Sequence, residues 1–189
     1  MDESAPRTPA PGRLHVLQEF VNSAALPDGP DELATAAAAA QWLNGHRTVL
    51  TRAVSERERK RLVDIREGLR TVLTAHAGAT VGSEVTAALT RQLNGAVLRP
   101  VISESGASLA GAPTGVAAFL ATLAAAIVEA TVAGTWQRLK VCRDDSCRWA
   151  FYDASKNGRG AWCSMRVCGS RNKARAYRAR RREPVSSRA

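Results

Sequence analysis

Four residues of one type carry the clearest chemical signal in this 189-residue chain: Cys142, Cys147, Cys163 and Cys168, its only cysteines. They form two matched Cys-x4-Cys pairs separated by 15 residues. Four soft thiolates on two short knuckles are a tetrahedral ligand set for zinc, and the spacing lies in the range of structural sites. Two disulfides would need an oxidising compartment, and redox pairs favour Cys-x2-Cys spacing, so a structural Zn2+ site is the expectation. The second knuckle runs directly into Gly169-Ser170-Arg171-Asn172-Lys173 and a run of arginines ending at Arg182. On a helix, Arg171, Arg175, Arg178 and Arg182 are spaced 4, 3 and 4 and share one face. Guanidinium groups favour bidentate contacts with phosphate or guanine, and each phosphate contact releases counterions. Arg171, Lys173, Arg175 and Arg178 are therefore expected to lead contacts with a polyanion, with Arg159 and Arg182 adding charge.

The charge distribution agrees. Residues 138–189 carry 15 Lys/Arg against 4 Asp/Glu, whereas residues 1–137 carry 12 against 13. A neutral body with a cationic end points to nucleic acid rather than to a membrane, because no large apolar face accompanies the charge. The most apolar stretch, residues 116–128, is too short to span a bilayer and suits a buried helix. The N-terminus shows no secretory pattern, so a cytoplasmic location is expected. There is no Gly-rich phosphate loop, no suggestive carboxylate pair and no histidine beside a nucleophile. Catalytic residues are not expected, and neither is any cofactor besides the metal.

The elements that must position these residues are mainly helical. Leu14, Leu17, Phe20 and Val21 recur at helical spacing, and a second helix is predicted from Thr35 to a stop at Gly45. Ser55-Glu56-Arg57-Glu58 fits a capping box ahead of the stripe Leu62, Ile65, Leu69, Val72, Leu73 and His76. A fourth helix follows Ser83, residues 97–110 allow a short hairpin, and a long helix is predicted from Gly115 to Gln137. Glu56, Glu58, Asp64 and Glu67 lie among arginines and read as surface ion pairs. In the cysteine region, strands at 138–141 and 149–152, a turn at 153–158 and a helix from Asn172 give a zinc-ribbon or treble-clef-like layout. Trp149, Phe151 and Trp162 are expected to supply its small core. Metal loss should then unfold this module and largely spare the helices.

The same residues carry a resemblance. Cys142-x4-Cys147, Phe151-Tyr152-Asp153-x-Ser155, Trp162-Cys163-Ser164-Met165 and Cys168-Gly169-Ser170-Arg171-x-Lys173 resemble the CGNR zinc-finger family, named for a Cys-Gly-Asn-Arg tetrad. Phe20-Val21-Asn22-Ser23, Trp42-Leu43 and Ile65-Arg66-Glu67-Gly68-Leu69-Arg70 resemble the helical ABATE domain that usually precedes it. The resemblance implies a bacterial transcription regulator. Ser170 stands where the tetrad has asparagine and is expected to cap the following helix. The expected organisation is a disordered tail at 1–12, a helical domain at 13–137, a zinc module with basic helix at 138–182 and a tail at 183–189. Double-stranded DNA is the expected partner, with an adaptor that binds an acidic protein or RNA as the alternative. A homodimer, and a small-molecule effector held near Phe20, Trp42 and Phe119, are left open.

Overall fold

Apolar stripes, caps and glycine stops divide residues 8–182, which the computed structural model describes, into ten elements. These are α1 (Leu14–Asn22), α2 (Ala36–Gly45), α3 (Glu56–Ala75), α4 (Ser83–Leu93), β1 (Arg99–Ser103), β2 (Gly106–Ala110), α5 (Gly115–Val132), β3 (Leu139–Val141), β4 (Ala150–Tyr152) and α6 (Ser170–Arg182). The fold is mainly α, with two separate two-stranded antiparallel pairs, β1–β2 and β3–β4. Residues 1–7 of the predicted 1–12 tail and all of the predicted 183–189 tail lie outside the described residues, as does the side chain of Arg182. Order reaches into the N-terminal segment read as a tail: Ala10 is buried and its N–H donates to Gln18 Oε1 at 2.7 Å.

Several helix ends have a local cause. Thr35 caps α2 by accepting from the Ala38 N–H. The capping box at α3 is complete, with Ser55 Oγ accepting from the Glu58 N–H at 3.3 Å and Glu58 Oε2 from the Ser55 N–H at 3.0 Å. Leu62, Ile65, Leu69 and Leu73 of α3 are fully buried, each contributing about 1.5–3 kcal/mol of transfer free energy. α5 ends five residues before the predicted Gln137. Gly134 at φ +67° allows the Thr135 N–H to reach Ala130 O and the Gly134 N–H to reach Thr131 O, a Schellman stop. A 3-10 turn at Trp136–Arg138 then leads into β3.

α5 is longer than the 13-residue apolar stretch read from the sequence. At 18 residues it is long and apolar enough to cross a membrane by length and composition. Here Val116, Phe119, Leu120, Leu123, Ala126 and Ala130 are spent in the core instead. The rings of Phe20, Trp42 and Phe119 meet there at centroid distances of 5.0–5.6 Å. They are packed against one another as core.

The core does not stop at the cysteine region. Leu139, Val141 and Ala150 belong to the same buried cluster as Leu17, Ile65 and Phe119. The expected separate mini-core is corrected accordingly: Phe151 is buried, whereas Trp149 and Trp162 are only half-buried. Polar groups complete the join. Asn22 pairs with the Ala150 backbone like a strand edge, donating to its carbonyl at 2.9 Å and accepting from its N–H at 2.7 Å. His76 Nδ1 donates to Leu139 O at 2.7 Å, since a carbonyl can only accept. Burial lowers the His76 pKa and keeps that ring neutral. Arg70, 1% exposed, donates to Arg148 O, Val21 O and Glu67. Glu67 was expected in a surface pair, yet its partners Arg66 and Arg70 are both buried. The pairs Glu56–Arg59 and Glu58–Arg52 do lie at the surface.

Candidate metal centre and basic helix

The four cysteine sulfurs converge. All lie within 4.8 Å of one another, with Cys147–Cys163 at 3.6 Å and Cys163–Cys168 at 3.8 Å. A disulfide needs about 2.05 Å, whereas metal–thiolate bonds of about 2.3 Å give tetrahedral edges of roughly 3.8 Å. The cluster is thus a metal-holding set and not a pair of crosslinks. Its surroundings fit a cation as well. Thiol hydrogen bonds from Cys142 and Cys163 favour a thiolate at Cys147. Hydrogen bonding with Cys147 pushes Cys142 up, hydrogen bonding with Cys142 and then Cys147 pushes Cys163 up, and burial and then thiolate charge push Cys168 up to about 12. Four negative sulfurs therefore coexist at neutral pH only around a positive ion.

Each knuckle is held by its neighbours. In the first, the Cys147 and Arg148 N–H groups both donate to Asp144 O, and Arg148 adopts the left-handed conformation at φ +47°. The bond from buried Arg70 to Arg148 O fixes that turn from below. In the second, Ser164 caps a π-helical turn, Met165–Gly169, by accepting from the Val167 N–H at 3.3 Å. A Cβ at Gly169 would crowd the end of the Met165 side chain at 3.0 Å and the Trp162 ring at 3.3 Å, so any larger residue needs the exposed methionine to shift by a few tenths of an ångström. Lys140 of β3 reaches the inter-knuckle segment through a buried pair with Asp153 at 2.8 Å, which organises the 153–160 loop. Lys140 Nζ also donates to Gly158 O and Gly160 O, and Asp153 accepts from the Ser155 and Gly160 N–H groups. Burial opposes the Asp153 charge, but Lys140, Ser155 and Gly160 hold its pKa down to about 2.

α6 begins two residues after Cys168, earlier than the predicted Asn172, and carries seven basic residues with no acidic one. Ser170 does not cap it: its hydroxyl donates to Met165 O, and Asn172 Nδ2 donates to Cys168 O at 2.9 Å. The face carrying Arg171, Arg175, Arg178 and Arg182 is not wholly free for a partner. Asp144, fully buried in the first knuckle, lies 3.1 Å from Arg175 and 3.5 Å from Arg171. Burial opposes ionisation of Asp144, yet Ser146 and Arg175 hold its carboxyl below the usual range. Arg178 Nε donates to Ala174 O, and the Arg181 guanidinium lies 5.8 Å from the Tyr177 ring centroid. Lys173, Arg178, Arg180 and Arg181 are exposed, and no carboxylate pairs with them among the described residues. Arg159 is exposed on the loop between β4 and the second knuckle.

The structure thus adds Asp144 and Lys140 to the residues the sequence singled out, and gives Asp153 and Arg70, quoted there only within motifs, specific roles. The available signal was sign: Asp144, Asp145 and Asp153 are rare acids in a strongly basic segment.

Comparison with known proteins agrees with this architecture. Residues 138–181 match the CGNR zinc finger, and residues 14–134 match ABATE, described as a "putative stress-induced transcription regulator". A comparison with curated proteins gives no match. With most of its length matched by these two adjoining profiles, the chain belongs to the ABATE family and ends in a CGNR zinc finger.

Proposed function

We propose that the chain is a cytoplasmic transcription regulator that binds double-stranded DNA through α6, with one structural zinc ion held by Cys142, Cys147, Cys163 and Cys168. One observation carries this reading: a 13-residue helix with seven cations and no acid, rooted in the cysteine cluster and exposed along most of its length. When bound, zinc neutralises the thiolates and cross-links the two knuckles. The chain's own groups do the rest. Ser164 caps the π-helical turn that leads into α6, Asp144 ties the first two turns of α6 to the first knuckle, and Lys173, Arg178, Arg180 and Arg181 face outward for phosphates.

The reading predicts a steep salt dependence. With about four to six phosphates engaged, log K against log salt should have a slope of roughly −4 to −5. Replacing Arg178 and Arg181 by glutamine should flatten it by about one unit per residue, measured by fluorescence anisotropy on a short duplex. Selection from a random duplex pool tests the regulatory part. A recovered consensus supports a regulator. Binding indifferent to sequence at physiological salt would favour an adaptor for RNA or acidic proteins.

A further inference from the structure

We infer that Asp144 is the positioning residue of the basic helix, holding the guanidinium groups of Arg171 and Arg175 in fixed orientations for a phosphate backbone. The inference rests on the nucleic-acid reading of α6 and adds how two of its arginines are aimed. Asp144 sits between the metal-ligating Cys142 and Cys147 and is fully buried. Its Oδ1 accepts from the Ser146 N–H at 3.1 Å, the Ser146 hydroxyl at 2.7 Å and Arg175 Nη1 at 3.1 Å. The buried Oδ2 has no hydrogen bond, and Arg171 Nη1 stands 3.5 Å from it. Ser146 Oγ extends the cradle, receiving Arg171 Nη1 at 3.1 Å and Arg175 Nη2 at 3.3 Å.

One carboxylate and one hydroxyl thus grip arginines from successive turns of α6 by their Nη atoms. Both side chains still keep 41% and 48% of their surface open. A guanidinium has five N–H donors, so a group held along one edge can still present others to a phosphate. An arginine fixed before binding also loses less rotamer freedom when it binds. The arrangement is metal-dependent by construction, because the turn that buries Asp144 is the first knuckle itself.

Simple charge and positioning predict opposite signs for Asp144→Asn. Removing one negative charge from a cationic surface should tighten binding to DNA through long-range attraction. Loss of positioning should weaken it, by about tenfold for two freed arginines. The experiment uses the full-length metal-loaded chain, with metal content checked, and reads anisotropy on a short duplex together with NMR relaxation of the arginine Nε–H groups. The expected result is rigid Nε–H groups at Arg171 and Arg175 that become mobile in Asp144→Asn, alongside weaker duplex binding. Equal or tighter binding by that variant, or mobile groups in the unaltered chain, would overturn the inference. Should Asp144→Asn lose its metal, Arg175→Lys replaces it: the charge is kept and the fork is lost. Weaker binding supports the aiming role, and unchanged binding refutes it. If the unaltered chain ignores duplex DNA altogether, the aiming role falls with the nucleic-acid reading, and rigid guanidiniums would mark a structural clamp.

Discussion

Removing the metal will loosen the helical body as well as the cysteine module. A Cys163→Ser, Cys168→Ser variant should carry no bound zinc and lose the single cooperative melt of the intact chain. Structural zinc contributes about 10–16 kcal/mol in zinc-finger peptides, as much as the whole stability of an ordinary domain at about 5–15 kcal/mol. The effect spreads because β3 and β4 complete the helical core. Leu139, Val141 and Ala150 are buried among residues of α1, α3 and α5. Asn22, Gln18, Arg70 and His76 all place hydrogen bonds on that segment's backbone. Unfolding it would expose this apolar surface and leave the buried Arg70 guanidinium short of a partner. Amide hydrogen exchange reads the outcome by region. Protection at the ends of α1 and α3 should fall by on the order of a hundredfold. Helices protected as in the intact chain would mean that the two parts fold independently.

Asp153→Ala should be the most damaging single substitution outside the cysteines, costing about 3–5 kcal/mol. It leaves the Lys140 ammonium, 5% exposed, facing only the carbonyls of Gly158 and Gly160. It also removes the acceptor for the Ser155 and Gly160 N–H groups that shape the inter-knuckle loop. Adding Lys140→Met should recover most of the loss, because two apolar groups strand no charge. Thermal or denaturant melts of the single and double variants check this, and a double variant as weak as the single one would count against it. The pair also sets an acid limit. The Asp153 carboxyl is held at about 2 in the fold against about 3.9 unfolded. Its contribution is therefore complete above about pH 4 and lost as pH falls through about 2. Asp153→Ala should flatten that part of the stability–pH profile.

Where local chemistry decided the structure, it could be read in the sequence. The capping box at Ser55–Glu58, the α3 stripe, the 97–110 hairpin and the convergence of four cysteines all follow from short-range patterns. The end of α5 required recognising that Gly134 serves as a helix stop within an apolar run. The joint between the two parts left no such trace. Leu139, Val141 and Ala150 look like strand residues of a small module, and only the tertiary fold places them in the helical core. Glu67 reads as part of a surface ion pair because helical spacing cannot show that its partners Arg66 and Arg70 are covered. The same holds for the arginine face of α6. Spacing placed Arg171 and Arg175 together, but their pairing with Asp144 depends on a knuckle about thirty residues earlier.

The most direct test of the account is zinc X-ray absorption on the full-length protein, combined with elemental analysis. One zinc per chain with four sulfur neighbours at about 2.3 Å is the predicted result. A metal-free protein with oxidised cysteines, or a zinc shell containing nitrogen or oxygen in place of a sulfur, would contradict it.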